Sequence, residues 1–185
     1  MILYLDTNII LSNYDTKDPF QNQNKKILEQ EGLTFITSFI TVIEFESIIG
    51  RLWKNNQIQF NLDIEKRIQS FPIPIQIIIL TETCFDRLPI MILPVSALEL
   101  FQFKGENHTI ENTISLAYRL GPQIQLRTLD TLQIASAVKI KHYTPYNMEY
   151  FLTNDKNILN NKSDIRIRTN IIPISSDDLI TILKI

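Results

Sequence analysis

The chain has 185 residues, 44% hydrophobic and 21% charged, with a formal net charge of −2. That is enough apolar material for one domain with a full core, and four glycines without any biased repeat argue against a linker-rich or disordered chain. The charge excludes the broad basic footprint of a strong general nucleic-acid binder, and no glycine-rich loop that could cradle a dinucleotide occurs.

In chain order, Ile2 to Leu5 reads as a short strand buried on both faces, because its apolar run does not alternate. A helical turn or two follows from Thr7. Asp18 and Pro19 start a helix as N-cap and first-turn residue, and Gly32 closes it. Leu33 to Thr37 is a second buried strand, and Ser38 caps a helix to about Lys54. Asn61 to Ser70 looks helical, Phe71 to Leu80 is apolar but broken by Pro72 and Pro74, and Leu88 to Val95 fits a strand. Ser96 to Lys104 reads as a helix closing at Gly105. Helices follow over Ile110 to Leu120, stopped by Gly121 and Pro122, and over Leu126 to Lys141. Tyr150 to Thr153 and Ile171 to Ile174 are strands, and Asp177 to Leu183 is a terminal helix. Strands alternating with helices imply an α/β chain whose parallel sheet is covered on both faces. Its chemistry is expected beyond the carboxyl ends of the strands, where Asp6 and Asp155 fall.

Two more acids break apolar ridges. Residues four apart on a helix share a face. Glu44 is the lone charge among Ile40, Ile48 and Leu52, and Asp130 is the lone charge among Leu126, Ile134 and Val138. Ala135 and Ala137 would let the second helix approach the sheet closely. A buried carboxylate is costly unless paired or metal-bound. Two charges about 5 Å apart repel by roughly 3 kcal/mol at an effective dielectric near 20. If Asp6, Glu44, Asp130 and Asp155 converge, they need protons, basic partners or a divalent cation. Oxygen ligands favour Mg²⁺ or Mn²⁺ over zinc, and such a site suits phosphodiester hydrolysis. Each acid also has a plainer reading. Asp6 could cap the following helix, Asp155 could be a turn residue, Glu44 could be exposed, and Asp130 could pair with Arg127.

The stretches LDTNIIL, TSFITVIEF, LRTLDTLQIASAV and FLTNDKNI, in this order, resemble the motifs of PIN-domain nucleases, most closely the VapC-like toxins of toxin–antitoxin pairs. The resemblance implies a three-layer α/β/α sandwich, residues 1–185 forming one PIN-like domain, with the acidic site at the carboxyl edge of the strands. It also implies a Mg²⁺- or Mn²⁺-dependent endoribonuclease. Asp6, Glu44, Asp130 and Asp155 match the family's four acids, as catalytic and metal-binding residues. Thr7 and Asn8 match the polar pair after the first acid, and Thr153 the threonine before the last. These three would bond the carboxylates or the substrate. The partners implied are an RNA substrate, an antitoxin that puts a basic side chain into the acid pocket, and a second copy in a homodimer. The chain exceeds the usual toxin in length through an enlarged, mostly helical middle region, about 56–121.

Residues 139–168 hold six basic and three acidic side chains and are the expected phosphate-holding stretch. His108 and His142 lack ligand spacing and read as surface residues. Cys84 is alone, which suits a reducing cytoplasm. The first residues lack a basic signal-peptide region, and no apolar run is long enough to span a membrane. A non-catalytic PIN-like interaction module is the alternative. A haloacid-dehalogenase-like phosphatase would need an acid where Asn8 stands.

Overall fold

The short buried runs around Leu3, Phe35 and Phe151 become the inner strands of a parallel sheet. The computed structural model describes residues 1–60, 64–94 and 97–185. Its elements begin with β1 (Ile2–Leu5), α1 (Thr7–Tyr14), α2 (Gln21–Leu28), β2 (Thr34–Ser38), α3 (Phe39–Lys54), α4 (Glu65–Ile68), α5 (Ile73–Asp86) and β3 (Ile90–Leu93). They continue with β4 (Leu98–Phe103), β5 (Glu106–Glu111), α6 (Asn112–Ile124), α7 (Thr128–Tyr143), β6 (Tyr150–Leu152), α8 (Lys156–Asn160), α9 (Lys162–Thr169), β7 (Ile172–Ile174) and α10 (Ser176–Leu183). The central sheet has the order β3-β2-β1-β6-β7, and every pair in it is parallel.

Side chains alternate between the two faces even though polarity does not. Leu3, Leu5 and Phe35 join a core with Ile9 and Ile10 of α1, Phe45 and Ile49 of α3, Leu80 of α5 and Leu179 of α10. Tyr4, Ile36 and Phe151 join the opposite core with Leu120 of α6, Ile134 and Ala135 of α7, and Ile165 of α9. Ala135 and Ala137 are fully buried there. Tyr4 stacks on Phe151, with ring centroids 5.1 Å apart. A sheet covered on both faces by helices is the three-layer α/β/α sandwich expected of a PIN-like chain.

The middle region departs from the sequence reading. The segment expected as a helix from Ser96 to Lys104 is strand β4 of an antiparallel hairpin with β5; Ser96 itself lies outside the described residues. Lys104 (φ 51°) and Gly105 (φ 82°) form its two-residue turn, the left-handed pair that a tight hairpin needs. Gly105 therefore ends a strand, and the governing period is two. Phe101 and Phe103 pack edge-on against Tyr118 of α6, at 5.0 and 6.2 Å between centroids. Arg119 of α6 reaches Glu99 of β4.

The proline-broken apolar stretch is helical. Pro72 is the N-cap of α5 and Pro74 lies in its first turn, where a missing N–H costs nothing. Of the helix expected from Asn61, residues 61–63 lie outside the described residues, and α4 is the part seen. The strand expected to Val95 is β3, ending at Leu93, with Val95 likewise outside the described residues. Helix α6 runs through Gly121 and Pro122 to Ile124 and ends where Gln125 turns left-handed (φ 49°). Helices α8 and α9 had no counterpart in the sequence reading.

Candidate acidic site at the carboxyl edge of the sheet

From β1 the chain passes through α1 and α2 to β2 on one side, and from β6 it passes through α8 and α9 to β7 on the other. The crevice between β1 and β6 is therefore the point where strand order reverses, the usual ligand position of an open α/β sheet. Asp6 and Asp155 follow these two strands.

Asp6 is 5% exposed. Its backbone has the extended N-cap geometry of α1, but its carboxylate does not cap the helix. Instead Oδ2 accepts from Asn8 Nδ2 at 2.6 Å and from Thr153 Oγ at 2.5 Å. Thr153 is fully buried, and its hydroxyl also accepts from Asp155 N–H at 3.0 Å and Asn8 Nδ2 at 3.0 Å. Asn8 Oδ1 in turn accepts from Asn154 N–H. This mesh ties the end of β1 to the end of β6. Burial, reinforced by the nearby charges of Glu44 and Asp130, raises the Asp6 pKa to about 7 against the lowering pull of the Thr153 hydrogen bond.

Glu44 is half-buried on α3, so it is not the exposed charge of the plainer reading. Its Oε2 accepts from Thr7 Oγ at 2.6 Å and from Gln133 Nε2. Gln133, only 1% exposed, also donates to Thr7 Oγ at 2.9 Å and accepts from Thr41 Oγ at 3.3 Å. The sequence reading passed over Gln133. Its signal was its place three residues after Asp130, on the same helical face.

Asp130 lies in the first turn of α7. Burial, then the charges of Asp155 and Glu44, raise its pKa to about 6, with Arg127 opposing. The two form no ion pair among the described residues, and Asp130 Oδ2 is buried without a hydrogen-bond partner. Asp155 caps α8, its Oδ1 accepting from Asn157 N–H at 2.6 Å. One of its oxygens thus does what the turn reading assigned.

The four carboxylates share one electrostatic neighbourhood, since Asp6 responds to Glu44 and Asp130, and Asp130 responds to Glu44 and Asp155. They do not form a finished cage. Among the described residues, no three acidic, histidine or cysteine side chains stand close enough to hold a metal ion together. The donor chemistry still fits a hard divalent cation: all oxygens, two acids with raised pKa values, and one buried carboxylate oxygen with no partner. Such cations are commonly bound by one or two carboxylates and several waters.

The expected basic stretch is dispersed. Lys139 lies 3.9 Å from Glu99, and Lys141 donates to the Asn170 carbonyl at 2.7 Å. Both are toward the far end of α7, roughly 14–17 Å along the axis from Asp130 at the usual helical rise. Lys156, directly after Asp155, stays beside the acids. His108 and His142 are exposed.

In sequence, no protein-family model and no curated protein matches the chain. In structure, it is similar to a chain of VapBC2 from Rickettsia felis bound to a DNA fragment from their promoter. The TM-score is 0.51 and the identity 15%, over 95% of this chain and 98% of that one. The shared fold agrees with the PIN-like sandwich that the four motifs imply.

Proposed function

We propose that the chain is a divalent-cation-dependent endoribonuclease that acts as the toxin of a toxin–antitoxin pair. The observation that carries this reading is the meeting of Asp6, Glu44, Asp130 and Asp155 in one field at the strand-order reversal, with Asp130 Oδ2 buried and unpartnered. Asp6, Glu44 and Asp130 would hold Mg²⁺ or Mn²⁺, with Asp155 completing the acid set. When bound, the ion supplies an activated water and neutralises charge on the phosphate. The protein's own part is positional. Thr153 and Asn8 fix the Asp6 carboxylate, and Thr7 and Gln133 fix Glu44. Hydrogen bonds of this kind keep ligating oxygens aimed.

An antitoxin fits the apolar cleft of about 350 Å³ lined by Phe39, Ile43, Ile114 and Leu132, which lies alongside the helices that carry Glu44 and Asp130. Phe39 and Ile43 are 58% and 61% exposed, so a partner's apolar helix would bury them while a basic side chain entered the acid pocket. The fold shared with a VapBC2 chain supports such a partner, and the same exposed face would serve a homodimer.

Incubation of the purified protein with RNA and Mg²⁺ tests the activity. Cleavage should stop with chelator and fall at least about 100-fold in Asp6→Asn, because a directly ligating group is lost. Cleavage that survives both changes rules the mechanism out. The lack of a finished cage favours one second reading, a non-catalytic interaction module. No cleavage of any RNA by a folded protein would select it.

A further inference from the structure

Behind Glu44 a run of polar side chains lies wholly inside the protein. Tyr4 lies in β1, Ser38 ends β2, Thr41 is in the first turn of α3 and Gln133 is on α7, and all four are buried. Tyr4 Oη meets Ser38 Oγ at 2.8 Å and Thr41 Oγ at 3.0 Å. Thr41 and Glu44 stand three residues apart on one face of α3, and the Gln133 carboxamide bridges them. Its Oε1 accepts from Thr41 Oγ at 3.3 Å, while its Nε2 donates to Glu44 and, at 2.9 Å, to Thr7 Oγ. Buried polar groups of this kind are costly unless bonded.

Counting protons fixes the direction of every link. Thr7 gives its one hydroxyl proton to Glu44 at 2.6 Å. Its contact with Gln133 therefore needs an amide N–H, which sets Nε2 toward the acid and Oε1 toward Thr41. Oε1 can only accept, so Thr41 spends its proton there. The bond between Tyr4 and Thr41 then takes the phenol proton, and the bond between Tyr4 and Ser38 takes the serine proton. Every donor from Ser38 through Tyr4, Thr41 and Gln133 points toward Glu44. Turning the amide over would set Oε1 against the Glu44 carboxylate. We infer that Ser38, Tyr4 and Thr41 form a positioning relay, which holds the Gln133 amide nitrogen, and through it Glu44, in the orientation that a divalent cation needs. This assignment rests on the cation-dependent ribonuclease reading above.

The test combines calorimetric titration of Mn²⁺ with the nitrogen-15 spectrum of the metal-free protein. Thr41→Val should weaken Mn²⁺ binding about tenfold, the lower end for residues that orient ligands from outside. Tyr4→Phe should weaken it about threefold, since Thr41 keeps its hydroxyl. Thr41→Ser should bind like the parent. In a Gln133→Leu background, Thr41→Val should change the affinity by less than about twofold, because the residue it acts through is gone. In the metal-free protein, the Gln133 side-chain N–H signals should exchange with water faster in Thr41→Val than in the parent. Ile36 pairs with Tyr4 across the sheet, and Ile36→Val should lower the melting temperature without changing either readout. RNA cleavage by Thr41→Val at limiting Mn²⁺ should fall in parallel with affinity and recover as Mn²⁺ is raised, with KM for RNA unchanged. Parent-like Mn²⁺ affinity in Thr41→Val and Tyr4→Phe, or the same loss from Thr41→Val with and without Gln133, overturns the relay, while cleavage by the parent leaves the nuclease standing. A folded parent that neither binds Mn²⁺ nor cleaves RNA overturns both.

Discussion

Asp6 holds a proton near neutrality because burial costs its charged form more than the Thr153 hydrogen bond returns. The sign of its effect on stability follows. Its folded pKa of about 7 lies above the ordinary 3.8, so between those values the folded protein keeps a proton that the unfolded chain releases. Stability therefore falls as pH rises through that window and levels off above it. Asp130, raised to about 6, acts in the same direction over a shorter range. Without divalent cation, the melting temperature of the parent relative to Asp6→Asn should drop between pH 5 and pH 8, as read by calorimetry. A flat difference contradicts the burial. Cation-dependent activity should rise over the same interval, since only the ionised acids bind metal. At Thr153, the change to Val removes a hydroxyl that serves Asp6, Asn8 and Asp155 N–H at once. Metal affinity should fall about 10- to 100-fold, as for other residues that orient metal ligands, measured by Mn²⁺ titration.

Among the elements, the βα framework was legible because a strand covered on both faces must be apolar throughout and short. β1, β6 and β7 meet that condition, while β2 keeps only Phe35 and Ile36 between its hydroxyl residues; Asp18, read as a helix N-cap, instead accepts from Phe20 N–H ahead of a helix that starts at Gln21. The middle was not, because Gly105 can end a helix or a hairpin strand equally well. What decides is the hydrophobic period, and in Leu98 to Phe103 alternate residues face α6 while Leu98 and Leu100 stay 71% and 76% exposed. An exposed apolar face hides a period of two. The hairpin's turn gives an element-scale prediction. Gly105→Ala puts a Cβ at φ 82° and should destabilise the hairpin by about 1 kcal/mol, the usual scale for a left-handed non-glycine residue. Faster amide exchange at residues 98–111, with β1 and β6 unchanged, is the expected readout.

For the whole molecule, topology brings the acids together. Asp6 and Asp155 lie 149 positions apart in sequence, yet β1 and β6 are neighbours, and α3 and α7 lean in over their ends. The sequence made the inward aim of Glu44 and Asp130 readable from apolar ridges and the resemblance. It did not make Gln133, Asn154 or the distant anchoring of Lys139 and Lys141 readable, because hydrogen-bond partners depend on packing that no local pattern encodes. The account stands on one physical statement, that these acids form a single divalent-cation site. Calorimetric titration of Mn²⁺ at pH 7.5 into the parent, Asp6→Asn and Asp130→Asn tests it most directly. Saturable binding to the parent that is lost in each variant is the predicted result. Binding unchanged in both variants, or none to the parent at millimolar Mn²⁺, would contradict it.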